Sequence, residues 1–419
     1  LFRKDNGRTV LKVLVSAYAF SPEEPMPFST GDDLLGWELA QQISQKYDVW
    51  ILTQSHNRDA VMTEMAKGAL EGAKVIFINP SRLKKILCKL GMEKTFCYYR
   101  WQIKAWRQAK YLHKKVKFDL VHHITLGEDW APSFMGAFLS VPFVWGPLKG
   151  GHQVPESILK EFEFFIRFSE RWKAASRCLG RRLWPRTRCI KKAKAILVSS
   201  QETRQKIPIK YHEKVHYFPK TGIHKKEIGP VPKKKQNQKE FVVLTLNRSH
   251  RFKETECAVR AFHLFSKENQ NTVLEIIEGG KKKENLEDLI KQLDLKYRVK
   301  IKSCDSRKEL LGLMKKCDVF LCSSFSDEEG GPVVAAMAQG KPVVGIDTAS
   351  SGFHIQKEWG IKTKPATREM VVNGLALALE KIYKNEPLRL KLGKAARKRA
   401  KETYVWEELG KRIKEIYEV

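Results

Sequence analysis

The sequence predicts an α/β protein of two doubly wound Rossmann-like domains facing one another across a cleft. Strand-length apolar runs alternate with segments of helical period along the chain, the rhythm of a parallel sheet covered by helices on both faces. The alternation breaks once, at the polar, Pro-bearing, basic stretch Gly229-Pro-Val-Pro-Lys-Lys-Lys-Gln-Asn-Gln-Lys239, and then restarts. Length agrees, because 419 residues with 42% hydrophobic side chains exceed one ordinary core and suffice for two.

In the first half the runs are Val13 to Ala17, Val49 to Thr53, Val75 to Ile78, Leu120 to His123, Phe143 to Trp145 and Ile196 to Ser199. In the second they are Phe241 to Leu246, Val273 to Ile277, Val299 to Ile301, Val319 to Cys322 and Pro342 to Ile346. The expected domains are 1–228 and 241–400, joined by a linker over 229–240. The closing segment 401–419 has apolar positions at helical spacing with charges opposite, and is expected to pack back towards the first domain. Open α/β sheets bind ligands beyond the carboxyl ends of their strands, so the cleft is the expected site.

Charge narrows the partner. With 78 Lys and Arg against 47 Asp and Glu the formal net charge is +31, and an acidic partner is expected: nucleic acid, an anionic membrane or a nucleotide-linked substrate. No nucleic-acid recognition motif accompanies the charge, so that partner is not expected. The eight cysteines are scattered without a C-x-x-C pair or zinc-ligand spacing, which predicts buried free thiols in a reducing compartment. No apolar run approaches the roughly 18 residues that cross a bilayer, and the first twenty residues lack a signal-peptide core. A cytoplasmic protein, at most peripheral to the inner face of the membrane, is expected.

Two features mark the cleft side of the second domain. The run Asp318-Val-Phe-Leu-Cys-Ser-Ser324 enters an acidic loop with Asp327, Gly330 and Gly331, followed by a helix over Val333 to Gln339. A strand, a Gly-bearing turn and a helix start leave backbone N–H groups unpaired where a pyrophosphate can sit. Arg248 and Lys253 then flank the short loop between the strand ending at Leu246 and the helix from Glu254 to Phe265, so both cations can reach the same crevice mouth; the alternative is a solvated charge run. In the first domain His122 and His123 end a strand, where adjacent side chains point to opposite faces, so only one can face the cleft. Glu128 and Asp129 follow, either orienting an acceptor hydroxyl or capping a helix near Ala131.

Two basic, aromatic-rich stretches remain. Residues 82–117 carry Phe96, Tyr98, Tyr99, Trp101 and Trp106, and residues 162–194 carry Phe164, Phe165, Phe168, Trp172 and Trp184. Each is either an interfacial helix for anionic lipid or an amphipathic helix that buries its aromatics in the domain.

Taken together, Arg248 with Lys253, Leu274-Glu-Ile-Ile-Glu-Gly-Gly280, Asp318 to Ser324 and Ala336-Met-Ala-Gln-Gly-Lys-Pro-Val-Val344 resemble the family 4 retaining glycosyltransferases of the GT-B fold. In the first domain Ser16-Ala-Tyr, Gly36-Trp-Glu-Leu-Ala40, His122-His-Ile-Thr125 and Pro142-Phe-Val-Trp-Gly-Pro-Leu-Lys-Gly-Gly151 resemble a bacterial branch that builds surface polysaccharides.

The resemblance implies a UDP- or GDP-linked sugar held mainly by the second domain, and a glycan or lipid-linked acceptor held mainly by the first. Arg248 and Lys253 would contact the pyrophosphate and offset charge on the leaving group. Asp327 stands where the family has the first Glu of its Glu-x7-Glu motif, and Ala335 where it has the second. Glu278, Gly279, Ser303, Gly330, Gly331, Pro332 and Val333 would complete the donor site, with Gly31 approaching the phosphate from the first domain. His122 would be the catalytic histidine, and His123, Glu128, Gly150 and Gly151 would face the acceptor. No D-x-D motif is seen, and the implied chemistry needs no metal. The sequence departs from the family at Asn247, Glu254, Lys149 and Ala335, and these departures support an alternative: a non-catalytic GT-B binding or scaffold protein with a decayed donor site.

Overall fold

The computed structural model describes residues 4–5, 8–23, 31–79, 93–234, 240–247, 254–278 and 286–418. Among them are two larger sheets, each wholly parallel.

The first sheet holds β1 (Lys12–Ser16), β2 (Asp48–Gln54), β3 (Lys74–Ile78), β4 (Leu120–His123), β5 (Phe143–Leu148), β6 (Ala193–Val198) and β7 (Val215–Tyr217) in the order β3-β2-β1-β4-β5-β6-β7. The second holds β8 (Phe241–Asn247), β9 (Thr272–Glu278), β10 (Val299–Ser303), β11 (Val319–Cys322), β12 (Val343–Ile346) and β13 (Gly360–Thr363) in the order β10-β9-β8-β11-β12-β13. Both are doubly wound, as the apolar rhythm predicts. Their central strands read as continuous Val, Leu and Ile because helices cover both faces: Val13, Leu14 and Val15 in β1 are wholly buried, as are Val343 and Val344 in β12.

Strand order reverses between β1 and β4 in one sheet and between β8 and β11 in the other. Loops leaving the carboxyl ends of those strands part there, which opens a crevice on each domain. The loops after β5 and β11 face each other across it: His152 Nε2 donates to the Phe325 carbonyl at 2.7 Å, and Lys149 reaches Glu329 at 3.2 Å. An apolar contact joins the domains beside the crevice, where Val154, Ile158, Leu159 and Phe162 share one cluster with Phe262, Leu274 and Leu375.

The chain passes between the domains twice. The first passage runs beyond β7, where Ile223 N donates to Tyr404 O at 2.8 Å and Trp406 N donates back to Ile223 O at 3.1 Å, so the two crossings are hydrogen-bonded to one another. The helix Glu386–Thr403 packs on Gly331–Ala338 of the second domain, whereas Trp406–Glu418 buries Trp406, Leu409, Ile413 and Tyr417 in the core under β1 and β4. Gly222 lies under the Trp406 ring, where a Cβ would meet ring atoms at 2.6 Å. The start of the linker is bound rather than free: Arg397 Nε donates to Gly229 O at 2.6 Å, and Pro232 packs on Gly340.

Candidate functional site

A cavity of about 320 Å³ opens at the switch point of the second sheet. Its floor is Thr245 and Leu246 at the end of β8 and Phe320 to Ser324, running from β11 into the loop after it; Ser326 to Glu329 and Pro332 form one wall. Thr245 Oγ1 donates to Leu321 O at 2.8 Å, which ties the two floor strands together. Lys149 closes the cavity from the first domain.

Glu254 organises the loop. Sitting at the start of the helix Glu254–Glu268, its carboxylate accepts from Phe325 N at 2.8 Å, Ser324 Oγ at 3.0 Å and Ser326 Oγ at 2.9 Å. Burial pushes its pKa up, and these three donors work against the rise. Asp327 Oδ1 accepts from Glu329 N at 3.0 Å and Gly330 N at 3.2 Å, which curls the chain into the left-handed Gly330 (φ 75°) at the cap of the helix Gly331–Ala338.

Opposite stands a buried charge network. Asp32, in the first turn of the helix Gly31–Ser44, accepts from Lys220 Nζ at 2.6 Å and lies 3.7 Å from Lys149 Nζ. Burial would raise the Asp32 pKa, but Lys220 and Lys149 outweigh it and hold the group down at about 2. Lys149 is only partly exposed, which works to lower its pKa, yet Asp32, Glu329 and Glu128 keep it above the ordinary lysine value. Glu128 is pushed up to about 7, by burial first, with Glu328 adding to the rise against the pull of Lys149. Behind this wall Arg181 holds Asp129 with two bonds of 2.5 and 3.0 Å, and Arg177 donates to His152 O at 3.1 Å.

The residues expected at the site divide into four groups. Asp327 and Pro332 line the cavity; Gly330 and Gly331 form the turn into the helix beside it; Glu128 lies in the charge network with Lys149; and Gly31 opens the helix that carries Asp32, in a left-handed conformation (φ 51°). Glu278 and Ser303 end the neighbouring strands β9 and β10, where they pair in register, and neither is on the cavity wall. Arg248, Lys253 and Gly279 lie outside the described residues.

The remaining positions are corrections. His122 is fully buried on the far face of β4, where its Nε2 donates to Gly146 O at 2.8 Å and its Nδ1 accepts from Tyr417 OH at 2.6 Å. Both nitrogens are occupied, and burial lowers its pKa to about 3, so it is a neutral packing residue rather than a catalytic one. His123 points the other way, as strand alternation requires, but it too is buried: Nδ1 meets Ser16 Oγ at 3.0 Å and Nε2 meets Tyr98 OH at 3.0 Å. That leaves it no atom for an acceptor. Val333 and Ala335 are buried in an apolar cluster with Phe320, Met337 and Ala396; neither is on the cavity wall, and Ala335 lies one helical turn behind Pro332, which is. Gly151 N donates to Thr203 Oγ1 at 3.3 Å, and the Gly150 carbonyl accepts from Arg181 at 3.0 Å. Both glycines serve internal packing: a Cβ would meet Glu128 Oε2 at 2.6 Å at Gly150 and the Thr203 backbone at 2.3 Å at Gly151.

Sequence reasoning missed Lys220, Asp32 and Glu328 and met Glu254 and Lys149 only as departures. A signal existed for Glu254, an acidic residue opening a helix directly after a strand. None existed for the Asp32 to Lys220 pair, whose members are 188 positions apart.

Among the described residues no group of three or more His, Cys, Asp or Glu is placed to hold a metal ion. The seven described cysteines are free, and all but Cys178 are buried.

Comparison with known proteins agrees with this architecture. Residues 231–399 match the family model Glycosyl transferases group 1. Among solved structures, sucrose-phosphate synthase from Thermosynechococcus elongatus superposes with a TM-score of 0.64 at 16% identity, over 97% of this chain and 98% of that one. HepE from Anabaena, in complex with UDP and glucose, gives 0.57 at 15% identity over 97% and 99%. WaaG, a glycosyltransferase involved in lipopolysaccharide biosynthesis, gives 0.55 at 15% over 96% and 99%. No curated protein sequence matches the chain closely enough to count as a relative. The fold is therefore GT-B, with two parallel-sheet Rossmann-like domains, and the second domain carries the group 1 glycosyl transferase match.

Proposed function

We propose that this chain is a retaining glycosyltransferase of family 4 type that moves a hexose from a UDP- or GDP-linked donor to a glycan or lipid-linked acceptor of a bacterial surface polysaccharide. The observation that carries the reading is the cavity of about 320 Å³ at the switch point of the domain that matches the group 1 family. The complex of HepE with UDP and glucose supports a nucleotide-sugar as the ligand class.

In this reading the donor diphosphate sits at the cavity mouth, where Arg248 and Lys253 contact it and Lys149 approaches from the first domain. These cations offset charge on the leaving phosphate, so that no metal is needed. Asp327 addresses the sugar hydroxyls from the loop that Glu254 holds. The acceptor hydroxyl attacks from the face that the phosphate leaves, with the departing phosphate oxygen receiving its proton. Glu128 orients that hydroxyl. The reaction takes place at the inner face of the cytoplasmic membrane.

A second reading, a non-catalytic GT-B binding or scaffold protein, draws on the departures from the family at Asn247, Lys149 and Ala335, the last an apolar side chain buried behind the cavity wall where the family has a Glu. A thermal-shift panel of UDP, GDP, ADP and their sugars separates the two. Stabilisation by one nucleotide-sugar and its nucleotide supports the transferase, and silence across the panel at millimolar concentration refutes it.

A further inference from the structure

The helix Phe164–Arg182 is turned inside out. Phe165, Phe168, Trp172, Leu179 and Leu183 recur at spacings of three, four, seven and four, one face of a helix, and this face points to solvent: they are 79, 57, 69, 65 and 45% exposed. Trp184, opening the next helix, adds 60%. The opposite face carries the charges into the protein, with Arg181 on Asp129, Arg177 on the carbonyls of Gly150 and His152, and Gly180 against Trp130. A helix in water buries its apolar stripe and exposes its charges, so the described fold leaves this stripe unpartnered. The other basic stretch behaves in the ordinary way: Trp101 and Tyr98 of the helix Glu93–Val116 are buried in the first domain.

Charge complementarity selects the covering surface. Between 164 and 192 there are ten Lys and Arg and a single acid, Glu170. Arg171, Lys173, Arg182 and Arg188 are exposed beside the aromatic row. A row of aromatic rings edged by cations of one sign fits a continuous anionic plane into which the rings sink. The same helix walls a second cavity, of about 530 Å³, in which Arg171, Lys173 and Arg177 face Ser326 and Glu328, two residues that also line the first cavity. Among the described residues no helix is long and apolar enough to cross a membrane, so attachment through this helix is peripheral.

We infer that the aromatic face of Phe164–Arg182, extended by Leu183 and Trp184, docks on an anionic lipid bilayer and brings the second cavity to the membrane surface, where an acceptor headgroup enters. The docking stands on the helix alone; only the statement about the acceptor rests on the transferase reading.

Co-sedimentation of the full chain with phosphatidylglycerol-containing and pure phosphatidylcholine vesicles tests it, with the triple variant Phe165→Ser, Phe168→Ser, Trp172→Ser. A control, Tyr297→Ser with Leu377→Ser, changes exposed side chains of the second domain. The parent and the control should bind anionic vesicles at moderate salt, and the triple variant should bind about tenfold more weakly or worse. All three side chains are exposed, so the variant should keep the parent melting temperature and any nucleotide-induced shift, which are read alongside. Equal binding by parent and triple variant would show that net charge alone attracts lipid and would overturn the proposal. So would absence of parent binding, as would a parent dimer in light scattering that the triple variant dissolves while vesicles stay unbound. Vesicle binding without any nucleotide shift would instead retain the docking surface and remove the transferase reading.

Discussion

Lys149 of the first domain lies 3.2 Å from Glu329 of the second, an ion pair spanning the crevice in which both side chains are about one-fifth exposed. Screening at that depth is partial, so the pair holds the domains together while leaving Lys149 open to exchange for a stronger anion. A donor diphosphate is such an anion. Lys149→Met should weaken nucleotide binding by at least tenfold in titration calorimetry, the size of one charge-assisted contact. Glu329→Gln removes the competing carboxylate and should strengthen it severalfold. Unchanged affinity in both variants would separate the pair from the donor.

Glu254 supplies the acceptor for three donors of the Ser324 to Ser326 loop. Glu254→Ala leaves the buried Phe325 N–H without its partner and should cost about 1 to 3 kcal/mol in denaturant melts. Because the same loop walls the cavity, nucleotide affinity should fall about tenfold beyond what partial unfolding explains. Wild-type affinity at reduced stability would place the donor elsewhere.

Buried neutral histidines set an acid limit. Burial lowers the pKa of His122 to about 3, and of His123 and His354 to about 4. The unfolded chain takes up protons near the ordinary value of 6.5, so the stability they contribute is complete above that pH and is lost as pH falls towards 3 to 4. Melting temperatures should decline steadily below pH 6.5. Tyr417→Phe, which strips the donor from His122 Nδ1, should cost about 1 to 3 kcal/mol without moving nucleotide affinity. A loss of affinity there would return His122 to the site.

Glu128 behaves in the opposite sense. Its folded pKa of about 7 exceeds the usual 4.5, so ionising it costs the folded state stability as pH rises from 4.5 through 7. Glu128→Gln should raise the melting temperature relative to the parent at pH 8 and change it little at pH 4.5. In a transfer assay it should also erase a rate limb near pH 7.

Much of the fold was legible because central parallel strands are apolar on both faces. Every strand foreseen in the sequence is present with its ends within three residues, and the two of the larger sheets that escaped, β7 and β13, are edge strands. β7 is only half-buried along its length and β13 nearly so; sequences such as Val-His-Tyr and Gly-Ile-Lys-Thr show no continuous run. The site was legible in part. The Asp327 turn advertises itself through Asp and Gly, whose local chemistry needs no distant partner. Asp32, Lys149 and Lys220 meet only because a helix start and two loops converge, and nothing local marks that meeting. His122 and His123 show the limit from the other side: alternation correctly sends them to opposite faces, but only packing reveals that both faces are closed.

Hydrogen exchange with and without a saturating nucleotide-sugar, read by mass spectrometry, tests the central claim most directly. The account predicts slowed exchange in 244–247 and 323–332, around the cavity of about 320 Å³, and no change at the basic cavity lined by Lys226, Arg307, Lys308 and Lys315. Protection confined to that basic cavity, or none at 323–332 with any UDP- or GDP-sugar, would contradict it.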